Sequence, residues 1–306
     1  MTISQRPLAG AQDFQRISDL VQAFPAENTH VVDLPYRLST PSARDEKNLR
    51  LWEDKQGKLL GFAITQTPWL TLDYALHPVA REQGLEERIL AWGLERWPHL
   101  MAERGWRYSL FVEARENWTE RIALLERLGF VLDDWHTLHL GQPLAHTLPP
   151  PVVPEGFSIR PLAGAAEAQA CAALHRAAFG TKNMTDDWRR CVLTMPQYLP
   201  ALDLVAVDAA GVLAGFCLCW FSQRGYDTSG GPVGQIEPIG VLPDFQQRGL
   251  GRALVLEGLR RMQARGATTA YVDSDGENDA SYALYESVGF RTAYTVLKYR
   301  RDVSLP

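Results

Sequence analysis

Two hydrophobic periodicities alternate along the second half of the chain. Residues 165–179 carry apolar side chains at helical spacing, whereas 202–207 and 212–220 alternate or run apolar around Asp208-Ala209-Ala210-Gly211, a hairpin-forming sequence. The full pattern predicts a strand at 157–161, the helix at 165–179, the hairpin pair and a strand at 235–241. A helix at 249–264, a strand at 270–273, a helix at 279–288 and a closing strand near 293–300 complete it. This β-α-β-β-β-α-β-α-β order implies an α/β (α+β) fold: a mixed, mostly antiparallel sheet with helices on both faces.

The pattern occurs twice. Arg6-Pro7-Leu8-Ala9-Gly10-Ala11 recurs as Arg160-Pro161-Leu162-Ala163-Gly164-Ala165, 154 residues later. The same offset carries the stretch from Gly57 to Phe62 onto Gly211 to Phe216. The offset then becomes 165 at His77-Pro78, 161 at Glu116-Asn117 and 160 at Gly129-Phe130, as loops change length. Residues 146–154 are rich in proline, which favours an extended spacer over helix or central strand. The expected organisation is therefore one domain over 1–145, a linker at 146–154 and a second domain over 155–306.

Composition narrows the function classes. The 306 residues, 46% of them hydrophobic and 22% charged, suit a soluble globular chain with two cores. A net charge of −5 gives no general attraction to nucleic acid or anionic membrane, so small-molecule partners are expected. The N-terminal sequence lacks signal-peptide features and no apolar run reaches the ~20 residues of a membrane span, which points to the cytoplasm. Cys171, Cys191, Cys217 and Cys219 form no metal-like spacing with histidine, and buried free thiols are the expectation.

Chemistry concentrates at one strand-to-helix junction. Gln246-Gln247-Arg248-Gly249-Leu250-Gly251-Arg252 opens a predicted helix, whose unpaired N–H groups and dipole favour an anion while glycine admits close approach. Upstream, Ile239-Gly240-Val241-Leu242-Pro243 ends a strand. Downstream, Asn278 precedes Tyr282-Ala283-Leu284-Tyr285-Glu286-Ser287-Val288-Gly289-Phe290. This succession over 155–300 resembles the GCN5-related N-acetyltransferase (GNAT) family, and the repeat resembles its tandem-domain members, among them the mycothiol synthases.

The resemblance implies an acyl-CoA-dependent N-acyltransferase that moves acetyl from acetyl-CoA to a primary amine of a small molecule or peptide by direct attack, without a metal. Gln246 to Arg252 would cradle the pyrophosphate, and Ile239, Gly240 and Val241 would form the strand segment that pairs with pantetheine. Asn278 would bond the pantetheine arm or start its helix. Glu237 would be the general base, Tyr285 the general acid beside the coenzyme sulfur, and the Val241 N–H the oxyanion donor. Pro238, lacking a ladder donor, marks a broken or bulged pairing independently of the resemblance. The loop 222–232, with Tyr226 and Asp227, is a candidate acceptor contact or plain surface loop, and Trp188 and Trp220 line the acceptor cleft or pack in the core. In the first copy Glu237 faces Leu72, Gly251 faces Glu86 and Tyr285 faces Leu125, while Gly84 and Asn117 persist. The first copy is therefore expected to be structural and only the second active, in a monomer or homodimer. The alternative is a non-catalytic coenzyme A sensor or interaction module.

Overall fold

The repeated hexapeptide builds the same clamp twice. Arg6 donates to both carboxylate oxygens of Asp13 at 2.7 Å, and the Ala9 N–H donates to the same group at 2.8 Å. Arg160 and the Ala163 N–H hold Glu167 in the same way, at 2.5–2.8 Å. The clamp ties an edge strand to the start of the following helix, and the arginines hold both carboxyls below the usual carboxylate range.

The structure, a computed structural model, describes residues 2–226 and 231–304. Its elements begin with β1 (Ser4–Pro7), α1 (Ala11–Ala23), α2 (Leu34–Leu38), β2 (Leu49–Glu53), β3 (Leu59–Gln66), β4 (Thr71–Leu76) and α3 (Pro78–Arg81). Next come α4 (Leu85–Arg104), β5 (Leu110–Arg115), α5 (Thr119–Arg127), β6 (Val131–Pro143) and β7 (Phe157–Pro161). The remainder is α6 (Ala168–Phe179), α7 (Asp186–Thr194), β8 (Asp203–Asp208), β9 (Leu213–Ser222), β10 (Val233–Val241), α8 (Leu250–Ala264), β11 (Thr269–Asp275), α9 (Asp279–Ser287) and β12 (Arg291–Arg301). None of the helices is long and apolar enough to cross a membrane among the described residues.

Two compact units form, and they do not follow chain order. The first comprises 1–31, 40–137 and 294–306; the second comprises 32–39 and 138–293. In the first unit the strands run β1-β2-β3-β4-β5-β12, so the last strand of the chain completes the sheet of the first copy. In the second unit the end of β6 heads the order β6-β11-β10-β9-β8-β7. Division at the proline-rich segment differs from this grouping in three stretches, because strand pairing rather than sequence order decides which residues pack together. The proline-rich segment itself lies along the second unit: Gln263 donates to the carbonyls of Leu144 and His146 at 2.6 and 2.8 Å, and Leu148 enters the core.

Helices cover both faces of the second sheet. On one face Leu204, Cys217, Cys219, Ile236 and Val272 pack with α8 and α9; on the other Val205, Val207 and Phe216 pack with α6. Pairing is antiparallel for β7–β8, β8–β9 and β9–β10 and parallel between β10 and β11. The predicted elements of this copy all form. Helix α7 lacked a prediction because its run from Asp186 is mostly polar, although Thr185 caps it by accepting from the Trp188 N–H at 3.0 Å. Cys171, Cys217 and Cys219 are buried free thiols and Cys191 is half-buried.

Beneath α7 the side chains of Arg189 and Asp203 form a buried ion pair, and the Tyr198 hydroxyl donates to the same carboxylate at 2.7 Å. Removing one partner strands a charge. Arg189→Met should lower unfolding free energy by about 3–5 kcal/mol, and the double change Arg189→Met with Asp203→Leu should restore most of it, as urea denaturation would measure.

Candidate functional site

β10 carries the site because its two neighbours release it at different points. Toward β11 the parallel ladder pairs Val233–Ile236 with Thr269–Val272 and stops, although both strands continue. Toward β9 the pairing resumes after one extra residue: Ile236 lies opposite Cys219 and Ile239 opposite Cys217. The insertion at Glu237-Pro238 is a β-bulge, as the proline suggested. Its Glu237 carbonyl accepts from the Trp220 indole N–H at 2.8 Å.

Beyond the bulge the direction of the backbone groups follows from the ladder. Leu242 donates to the Ala214 carbonyl, its register partner, at 2.9 Å. Bonded and non-bonded pairs alternate in an antiparallel ladder, so Val241 and Ile239 turn their N–H and C=O away from β9, toward the gap left by β11. Gly240 makes the intervening bonded pair. A Cβ there would lie 2.8 Å from the Phe216 ring and 3.0 Å from Ala178, so α6 backs this segment at backbone distance.

The turn into α8 has the conformation its glycines imply. Gln247 and Gly249 take positive φ, 58° and 90°, and Gly249 is the N-cap with no side-chain bond across it. The first N–H groups of α8 therefore have no intrahelical acceptor and lie at the positive end of the helix. Gln246 folds back, its amide donating to the Val241 carbonyl at 3.1 Å. Arg248 is exposed over Phe245, 5.5 Å from the ring centre, and Arg252 is exposed. Leu250 is buried and offers only its backbone; a Cβ at Gly251 would sit 3.3 Å from Leu284 of α9.

Glu237 is half-buried at the head of the gap. Tyr285 is 5% exposed within the core under α9, and burial, then Glu237, pushes its phenol well above the ordinary value, so it is protonated at neutral pH. Burial and Glu237 act likewise on Tyr36, whose ring stacks on Trp188 at 5.5 Å and lies 6.5 Å from Trp220. Asn278 caps α9 by accepting from the Ser281 N–H at 3.0 Å. Trp188 and Trp220 are both buried, as core packing required. Tyr226 is also buried, its hydroxyl donating to Gln235 at 2.6 Å, which corrects its reading as surface loop or open acceptor contact. Asp227 lies outside the described residues.

A second polar group adjoins the gap. His139 Nδ1 lies 2.6 Å from Asp273 Oδ1, and the Gln235 amide donates to Asp273 Oδ2 at 3.2 Å. No local pattern marks these residues in the sequence, since they come together only through strand order.

The first copy shows what the same frame does with different residues. Its β4–β5 ladder is a single pair, Thr71 with Phe111, so the strands separate there too, but β4 pairs with β3 without a bulge. Two sequence matches shift as a result. Leu72 lies opposite Thr65 as Ile236 lies opposite Cys219, so Leu72 corresponds to Ile236 and Glu237 belongs to the inserted residue. Asn117 corresponds to Glu277, because Trp118 and Asn278 are the N-caps of α5 and α9. Glu86, opposite Gly251, is buried and bonded by Arg121 at 2.7 Å, the Tyr74 hydroxyl at 2.8 Å and Arg81 at 2.9 Å. Burial alone would raise the Glu86 carboxyl; Arg121 and Arg81, with Tyr74, hold it below the usual range.

The profile of the acetyltransferase (GNAT) family matches residues 169–290, which span the gap and the turn. The mycothiol acetyltransferase of Thermobispora bispora is 30% identical over 244 residues, covering 75% of each chain. That of Streptomyces coelicolor is 28% identical, covering 92% of this chain and 89% of the relative. Among solved structures, a tandem GNAT protein from the clavulanic acid biosynthesis pathway superposes with a TM-score of 0.67 at 17% identity, covering 99% of both chains. The chain belongs to the GNAT family of acetyltransferases, and it is an N-acetyltransferase. The bulged strand, the gap and the αL turn are thus the second unit's version of a shared fold.

Because the folded carboxyl of Glu86 is depressed, its contribution is present above the unfolded value of about 4.3 and is lost as pH falls through the folded one. Glu86→Gln should cost about 3–5 kcal/mol at pH 7. The difference from the natural protein should shrink below about pH 4 in urea unfolding followed against pH.

Proposed function

We propose that the second unit binds acetyl-CoA and transfers its acetyl group directly to a primary amine in a ternary complex. The observation that carries this is the pairing of two anchors on one path: the outward N–H and C=O of Ile239 with the outward N–H of Val241, and the αL turn at Gly249 beside them. The first suits an amide-bearing arm and the second a pyrophosphate. Acetyl-CoA supplies an acetyl thioester already activated toward amines.

The chain's residues then have separate tasks. Glu237 takes a proton from the acceptor's ammonium group, directly or through a water, to free the nitrogen lone pair, and the second proton passes to solvent as the nitrogen–carbon adduct becomes the amide. The Val241 N–H donates to the acyl oxygen as negative charge develops there. Tyr285, kept protonated by burial and by Glu237, gives its proton to the sulfur as the carbon–sulfur bond breaks. Asn278, already committed to the α9 cap through its oxygen, retains an amide NH₂ for the coenzyme arm. The acceptor class favoured is a small molecule bearing a primary amine, since the relatives at 28–30% identity are named for a small molecule, mycothiol.

In the first unit Glu86 supplies an anion at the start of α4 from within the chain, which argues against a second coenzyme site there. Introducing the same residue in the second unit would meet Gln246, Ser281 and Ile239 where Glu86 has Arg81, Arg121 and Tyr74. Calorimetry should therefore find one acetyl-CoA site per chain, abolished by Gly251→Glu and unchanged in Glu86→Gln; two equal sites would refute the assignment. Tyr285→Phe should lower kcat by about 10²-fold or more while leaving acetyl-CoA affinity within about threefold. Turnover of that variant equal to the natural protein's would remove the acid role.

A further inference from the structure

We infer that Asp273 is the acceptor-binding carboxylate of this site, holding the ammonium group of a primary amine at the mouth of the gap, with His139 as its positioning residue. The inference rests on the reading of the second unit as the transfer site.

Position is the first support. Ile236 and Val272 form the last pair of the β10–β11 ladder, so Glu237 and Asp273 are the next residues on neighbouring strands, one on each side of the opening. Side chains alternate along a strand. Val272 faces the core beneath α8 and α9, so Asp273 and Gln235 face the opposite side, where α6 packs. The phosphate turn opens α8, which places the coenzyme's entry on the first face. An amine attacking through the gap then approaches from the side that bears Asp273. Burial dominates the raised Tyr285 phenol, and Glu237, then Cys217 and Asp273, add to it.

Construction is the second support. His139 is 1% exposed and the Asp273 side chain 23%, so the charged group is the part of the network that meets solvent. The Tyr226 hydroxyl donates to Gln235 Oε1 at 2.6 Å, which fixes the amide so that its NH₂ points to Asp273. The His139 ring stacks on Tyr271 at 5.1 Å and meets Tyr226 edge-on at 4.7 Å. Each Asp273 oxygen thus takes one donor from the protein. A carboxylate accommodates about four, and an ammonium carries three donors to offer it. The arrangement selects a cation of small radius over a neutral hydroxyl, because only the cation compensates the carboxylate's charge.

The test titrates glucosamine, cysteine methyl ester and spermidine into the full-length protein, with and without coenzyme A, using glucose as the uncharged counterpart. The natural protein should bind at least one amine and bind glucose more weakly. Asp273→Asn, of the same shape, should weaken that amine about tenfold or more, and His139→Gln about threefold. In turnover Asp273→Asn should raise the KM of the amine by the same factor with kcat changed less than about threefold. Unaltered amine binding in Asp273→Asn, or a natural protein that binds none of the amines better than glucose, would overturn the assignment. Acetyl-CoA titrated separately into each variant should bind as in the natural protein, which shows that the fold is intact. Failure of the natural protein to bind acetyl-CoA would instead overturn the proposed function, while the amine arm still decides Asp273.

Discussion

The premature end of one β-ladder governs this molecule. Once β10 parts from β11 after Ile236, its backbone groups on that side need other partners, since buried N–H and C=O are costly to leave unmade. The protein supplies some itself: Trp220 serves the Glu237 carbonyl, and Gln246 serves that of Val241. The bulge that breaks the pairing places Glu237 where the two strands part, and Gly240 lets α6 brace the freed segment from behind. Structure and chemistry share one cause here, because the strand is available to a ligand for the same reason that it is irregular.

The two copies show how that availability is lost. Both keep the αL glycine before the helix, Gly84 with φ 72° and Gly249 with φ 90°, and both let the strands separate. What differs is who satisfies the helix start. In the first copy Glu86 sits there with two arginines and a tyrosine, an internal anion with its own counter-charges. A charge so placed is favourable at the helix N-terminus and would be prohibitive without Arg81 and Arg121. The substitutions at 74, 81, 86 and 121 therefore form one coupled change, and none of them makes physical sense alone.

Much of this was legible in sequence. The αL turn, the bulge at Pro238 and the buried tyrosine of α9 each rest on a local residue requirement, and local requirements are what a sequence displays. Three features were not. Helix α7 is short and polar on average, so its narrow apolar face, Trp188 and Val192, is easily passed over. The matches of Leu72 and Asn117 slipped by one because an inserted bulge residue, and a chance repetition of Glu-Asn, imitate register. The His139–Asp273 contact joins strands 134 residues apart in the chain, and nothing near either residue announces it.

The grouping of strands also bears on what can fold alone. The core of the second unit includes Leu140, Leu144 and Leu148, all of which precede the first strand of the second copy. Burying each contributes about 1.5–3 kcal/mol, so the three supply an amount comparable to the whole net stability of an ordinary domain. To this are added the two carbonyls bonded by Gln263 and the Leu144 N–H that donates to Thr268 at 2.8 Å. A chain begun at residue 155 would keep the phosphate turn, Glu237 and Tyr285, and would lose the strand that covers the far edge of β11 and carries His139. The second copy of the repeat begins near residue 155, then, while the compact second unit also takes in 32–39 and 138–154 from the chain that precedes it.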